Sequence, residues 1–186
     1  LGITGGEPTL LGDRLPSLLR ALARELPDTE IQILSNGRAL AWPETANSVA
    51  EATTERVIFG IPLYSDAAPQ HDYVVQARDA FAQTILGLHN LARHGVRVEI
   101  RTVLQKQTVG RLPQLARFIH RYLPFAEHVA FMGLEHVGYA IHNTELLWVE
   151  PSEYAELLAE AVTYLADFGF SVSIYNLQLC LLPSNL

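Results

Sequence analysis

The chain is short of cysteine, methionine and charge. It has one cysteine, Cys180, and one methionine, Met132, among 186 residues. A single thiol cannot build a disulfide framework or a multi-thiolate metal site on its own. Charged residues reach only 18%, and acids outnumber bases 20 to 13, giving a net charge of −7 and a pI near 5.4. That balance argues against a general nucleic-acid or anionic-membrane surface. No apolar run approaches the roughly 20 residues a membrane helix requires. Histidines 71, 89, 94, 120, 128, 136 and 142 show no HExxH-like spacing. Repeats, linkers and low-complexity tracts are also missing. These absences set the expectation of a cytoplasmic chain with no nucleic-acid and no membrane partner.

Apolar residues, by contrast, make up 49% of the chain, enough for one domain spanning 1–186 with a substantial core. Leu1 is not a methionine and the chain opens inside an apparent strand, so a piece of a longer protein is expected.

Periodicity predicts alternating strands and helices. Asp13 is placed to cap a helix with Leu15, Leu18, Leu19, Leu22 and Leu26 at helical spacing, ended by Pro27. Strands are expected at Ile31–Leu34, Val57–Ile61, Val96–Leu104, His128–Met132 and Val172–Tyr175. Helices are expected at Pro43–Ala52, Tyr73–Arg93, Leu112–Tyr122 and Pro151–Phe168, with an irregular stretch from Gly133 to Val149. A unit of about 25 to 35 residues repeated in this way argues for parallel strands with helical crossovers. The strands read as apolar runs, as when both sheet faces are covered. An open doubly wound sheet and a partial barrel fit this pattern equally well, and both place functional residues at the carboxyl ends of strands.

The first such end is Ile3-Thr4-Gly5-Gly6-Glu7-Pro8-Thr9. Paired glycines let a ligand approach the main chain, Pro8 fixes the rim of the turn, and the Glu7 carboxylate suits a cationic group such as an amine. The other ends present Ser35-Asn36-Gly37, Tyr64-Ser65-Asp66, Arg101 to Gln107, Met132-Gly133-Leu134-Glu135 and Tyr175-Asn176. Turns favour Ser, Asn, Gly and Asp regardless of function. As a set, these residues combine hydroxyls and amides for a ribose with apolar surface for a base.

Gly5-Gly6-Glu7-Pro8 resembles the GGEP motif of the radical S-adenosylmethionine (SAM) enzymes, which binds the amino group of the SAM methionine. Ser35-Asn36-Gly37 is similar to the turn ending the next barrel strand, and Ser65 to a serine that helps hold the SAM carboxylate or ribose. Arg101-Thr102-Val103-Leu104 resembles the following strand, and Phe131-Met132-Gly133 with Gly138 the strand bordering the adenine. The combination with Leu147-Trp148 and Tyr175 to Cys180 resembles the maturases of His-Xaa-Ser peptide systems.

The resemblance implies an α/β fold, a partial (β/α)6 TIM-like barrel with outer helices and its first strand missing. It implies a SAM site formed by Gly5, Gly6, Glu7, Pro8, Asn36, Ser65, Arg101, Met132 and Gly133, although Arg101 can equally be a structural ion pair. It further implies a [4Fe–4S] cluster, a 5′-deoxyadenosyl radical, a reductant such as flavodoxin or ferredoxin, and a peptide or small-protein substrate. The three-cysteine CxxxCxxC motif that holds the cluster is not in this sequence and is expected upstream of Leu1. Cys180 reads either as an inert apolar residue or as a ligand of an auxiliary cluster. The alternative function is a non-catalytic ligand- or peptide-binding barrel. Glu7, read as part of a surface turn, is expected to be replaceable at under about 0.5 kcal/mol of stability.

Overall fold

The computed structural model describes residues 1–178 and 180. Its strands are β1 (Gly2–Ile3), β2 (Ile31–Leu34), β3 (Val57–Pro62), β4 (Arg97–Leu104), β5 (His128–Gly133) and β6 (Ser171–Tyr175). Its helices are α1 (Arg14–Glu25), α2 (Pro43–Ala50), α3 (Ala68–Val75), α4 (Ala80–Arg93), α5 (Leu112–Tyr122), α6 (Tyr139–His142), α7 (Thr144–Leu147) and α8 (Pro151–Asp167).

All neighbouring strands pair in parallel, in the spatial order β1-β2-β3-β4-β5-β6. This order decides between the two architectures. A doubly wound sheet reverses its strand order at a switch point, and this one never reverses. Crossovers of a single hand then place every helix on the same face, and the sheet curls into a partial barrel with β1 and β6 as its edges.

The convex face carries the core. Ile33, Phe59, Ile61, Val98, Ile100, Val129 and Phe131 are fully buried and cluster with Leu15, Leu19, Leu88, Leu91, Ile119, Leu158 and Leu165 of the helices. The concave face differs from the expectation of apolar runs. β3 and β5 fit it, but β4 alternates through Arg97, Glu99 and Arg101, and β6 through Ser171 and Ser173. One face packs on helices while the other borders a polar cleft, so period-2 alternation returns.

The helix expected over Tyr73–Arg93 is two helices. Gln76 and Asp79 take left-handed backbone angles (φ 55° and 58°), which break the run. The Asp72 carboxylate then accepts the Phe81 N–H at 2.7 Å and caps α4 from the preceding helix. Asp13 stands at the cap position of α1, yet its side chain makes no capping bond. The stretch expected to be irregular contains the short helices α6 and α7. It folds back over the end of β4, where the Lys106 N–H donates to the Leu147 carbonyl at 2.8 Å.

Close backbone approach fixes the turn after β2. A Cβ added at Gly87 of α4 would lie 2.3 Å from the Gly37 carbonyl oxygen. The missing side chain lets α4 seat against the Ser35-Asn36-Gly37 turn and hold it in place.

Candidate functional site

The carboxyl ends of β1 to β5 surround a cleft of about 420 Å³. At one wall Glu7 ties the first two strand ends together. Its Oε1 accepts from the Ser35 hydroxyl at 2.6 Å, the Thr9 hydroxyl at 2.8 Å and the Thr9 N–H at 3.1 Å. Its Oε2 accepts from the Asn36 N–H at 2.7 Å. A carboxylate offers about four acceptor sites across its two oxygens. With Oε1 crowded and Oε2 singly used, the opening for a further donor is at Oε2. The expectation that Glu7 can be replaced with little loss of fold stability is therefore corrected. It caps the 3₁₀ turn Pro8–Leu11 and joins β1 to β2.

The floor is polar. Arg101 donates from Nη1 to Glu99 Oε1 at 2.6 Å and from Nη2 to the Met132 sulfur at 3.2 Å. Glu99 is buried, and its other oxygen accepts from Gln32 Nε2 at 2.6 Å. Gly60 makes room for this arrangement, since a Cβ there would lie 2.9 Å from Arg101 Cδ. Of the five guanidinium N–H groups, those not engaged by Glu99 and Met132 remain for a ligand. With Glu7 and Glu99 against Arg101, the site carries one net negative charge. Tyr64 adds a phenol whose pKa burial raises above its ordinary value, so it stays neutral.

Gly6, Glu7, Asn36, Arg101 and Met132 line the cleft together. The Asn36 Oδ1 accepts the Arg38 N–H at 2.9 Å, and its NH₂ donates to no acceptor among the described residues. Other expected residues stand outside the cleft wall. Gly5 is exposed with φ 95°, and Pro8 is buried at the start of the 3₁₀ turn. Ser65 is buried, donates to Gln70 Oε1 at 2.7 Å and accepts the Ala67 N–H at 3.1 Å, so its hydroxyl serves the turn. Gly133 is buried where a Cβ would meet the Asn176 carbonyl at 2.4 Å, so it serves β5–β6 packing. Cys180 is exposed. Among the described residues no group of three or more Cys, His, Asp or Glu side chains is arranged to hold a metal.

Sequence reasoning allowed Arg101 a structural ion pair, which it makes with Glu99, but missed Glu99 and Gln32 as its network partners and the role of Gly60. The signal was present in the alternation of Arg97, Glu99 and Arg101 within an otherwise apolar β4.

No family model matches the chain. Fe-coproporphyrin III synthase of Methanosarcina barkeri is 27% identical over 180 residues, covering 94% of this chain and 42% of its own length. The chain thus spans about two fifths of that curated relative. Among solved structures, a domain of pyruvate-formate lyase-activating enzyme from Bacteroides vulgatus superposes with a TM-score of 0.69 at 16% identity. That match covers 94% of this chain and 97% of the other. A radical SAM methyltransferase from Sphaerobacter thermophilus gives 0.66 at 15% identity, over 94% of this chain and 50% of its own. The chain has the core fold of the radical SAM enzymes. A further structure with this fold, anSMEcpe with bound AdoMet and a peptide, gives 0.61 at 16% identity over 92% of this chain and 49% of its own. In this fold, the cleft described above opens at the carboxyl ends of the strands.

Proposed function

We propose that the chain is the SAM-holding part of a radical SAM enzyme that modifies a ribosomally made peptide, cytoplasmic and served by a flavodoxin- or ferredoxin-like reductant. The observation that carries the reading is the cleft's donor and acceptor set. SAM bears an ammonium, a sulfonium and a carboxylate, hence one net positive charge, and the Glu7–Glu99–Arg101 set carries one net negative charge. Glu7 Oε2 has an acceptor site left for the ammonium. Arg101 retains N–H groups for the carboxylate, and the Asn36 NH₂ and neutral Tyr64 suit ribose hydroxyls. A volume of about 420 Å³ lies in the range for a ligand of that size.

The residues present fit SAM and do not fit the cluster. Cys180 is the sole cysteine, and an iron–sulfur cluster takes several thiolates. These 186 residues therefore bind and orient the cosubstrate, and its reductive cleavage belongs to a cluster ligated elsewhere. The peptide substrate is supported by the resemblance to His-Xaa-Ser system maturases and by the peptide bound to anSMEcpe.

The test uses the full protein carrying this chain, reconstituted with iron and sulfide. Formation of 5′-deoxyadenosine from SAM under dithionite supports the enzyme reading. SAM binding without cleavage by any reductant would instead favour a binding barrel, and no SAM binding would reject both the cleft assignment and the enzyme. Turnover of a tetrapyrrole in preference to any peptide would overturn the peptide assignment.

A further inference from the structure

A second cavity, of about 530 Å³, lies between the β4–α5 connection and the start of α8. Both elements follow carboxyl ends of strands, so the cavity opens on the same end of the barrel as the SAM cleft. Tyr154, only 3% exposed, forms part of its wall. Its hydroxyl has no hydrogen-bond partner among the described residues and is not sealed from solvent, so it is accessible at the cavity wall. Burial, with the nearby Glu150 charge, pushes the Tyr154 pKa up to about 12, so the group is a neutral hydroxyl able to donate or accept.

The carboxylates around it also lack side-chain partners among the described residues. Glu150 occupies the cap position of α8 without making a capping bond, and Glu153 follows in the first turn. Neither carboxylate forms an ion pair with the described residues. The opposing charge is Lys106, whose Nζ is directed to the Glu145 carbonyl at 3.2 Å. Two carboxylates against one ammonium leave a net negative charge. Trp148 supplies an aromatic wall, and Val109 and Leu157 supply apolar surface. A helix dipole alone accounts for carboxylates in a first turn. It does not account for a phenol hydroxyl without a partner among the described residues and an indole lining the same space.

We propose that this cavity receives the cationic side chain of a lysine or arginine in the substrate peptide. The proposal rests on the peptide reading given above. The ammonium or guanidinium would meet Glu150 and Glu153, with the Tyr154 hydroxyl as an additional acceptor and the Trp148 ring as a cation–π partner. The methylene stem would pack on Val109 and Leu157 while the charge stays at the polar end. A basic residue so anchored would fix the register of the peptide relative to the SAM cleft. An anion is disfavoured, because the two carboxylates face it and Lys106 is already engaged.

The experiment compares the acetylated, amidated pentapeptide Gly-Ala-Lys-Ala-Gly with its norleucine analogue, using the full protein and calorimetric titration. The lysine peptide is expected to bind about tenfold more tightly, and the preference should shrink as salt rises. Glu150→Gln combined with Glu153→Gln should bring the two peptides to equal affinity. Tyr154→Phe, which keeps the packed ring, should lower the ratio by a smaller factor. Equal binding of the two peptides by the unmodified protein, or an undiminished ratio in the double variant, would overturn the proposal. SAM affinity measured on the same samples reports separately on the cleft. Loss of the lysine preference with SAM affinity intact would thus reject the cavity assignment alone.

Discussion

Replacement of Glu7 tests the site and the fold together. In Glu7→Ala, four donors lose their acceptor: the Ser35 hydroxyl, the Thr9 hydroxyl and N–H, and the Asn36 N–H. Asn36 is exposed and can turn to water, whereas Ser35 is 4% exposed and Thr9 6%. A buried donor left unsatisfied costs about 1–3 kcal/mol, so two such sites predict a loss of roughly 3 kcal/mol. Glu7→Gln keeps one carbonyl oxygen but sets an NH₂ against one of these donor groups. Its expected loss is about 1–2 kcal/mol.

The assay is denaturant unfolding, with the loss read as a shift in midpoint at unchanged slope. SAM affinity should fall in both variants, since each removes the charge at Oε2. Ser35→Ala separates the two roles. It removes the Ser35 bond to Oε1 and leaves Oε2 and its Asn36 bond in place, so stability should drop by about 1 kcal/mol with SAM affinity nearly unchanged. A Glu7→Ala protein within about 0.5 kcal/mol of the original would refute the reasoning, since that is the behaviour of an unencumbered surface residue.

Further outcomes follow from the same geometry. Gly87→Ala should destabilise by roughly 3 kcal/mol, because the new Cβ would sit 2.3 Å from a backbone oxygen that cannot swing away; thermal unfolding reads this directly. Arg101→Met leaves Glu99 buried without its cation and should cost about 3 kcal/mol or more. Adding Glu99→Gln should recover part of that loss, and a double-mutant cycle measures the coupling. His71 is buried between Tyr64 and Phe81, and burial lowers its pKa from 6.5 to about 4, with the Asp72 charge opposing and Arg38 assisting. Above pH 6.5 the ring is neutral in both states; as pH falls toward 4, the unfolded chain takes a proton that the folded chain refuses. Stability should therefore drop by about 2 kcal/mol between neutral pH and pH 5, and His71→Asn should remove that component of the pH profile.

The fold was readable where one physical signal dominated. α5 matches the expected Leu112–Tyr122 because Pro113 opens it and its apolar positions recur on one face. The sheet order was not readable, because periodicity is the same for a doubly wound sheet and a barrel. Resemblance chose between them before the pairing did. The break in Tyr73–Arg93 escaped notice because it depends on Asp72 reaching nine residues forward to cap α4. At the site, Glu7 and Asn36 were legible as strand-end polar groups, but their bond to each other spans 29 residues and exists only once β1 and β2 pair. That Ser65 and Gly133 stand outside the cleft wall was illegible for a related reason. Polar turn residues and glycines look alike whether they face a ligand or hold the backbone, and only their partners distinguish the two.

The net charge of the cleft leads to one more measurable consequence. S-adenosylhomocysteine differs from SAM by a methyl group and the sulfonium charge, so it is neutral overall where SAM is singly positive. Two unit charges about 8 Å apart at an effective dielectric of 20 interact by about 2 kcal/mol. An open cleft screened by salt reduces this to about 1 kcal/mol, a preference for SAM of roughly fivefold. Glu99→Gln removes the buried negative charge and should abolish that preference without touching the ligand, because Glu99 acts through Arg101. Arg101→Met in a sufficiently stable background should do the opposite, strengthening the discrimination while weakening both ligands through loss of a hydrogen-bond donor. Equal affinity of the original protein for SAM and S-adenosylhomocysteine at low salt would show that the charges of Glu7, Glu99 and Arg101 do not act on the sulfonium, and the electrostatic argument for this cleft would fail.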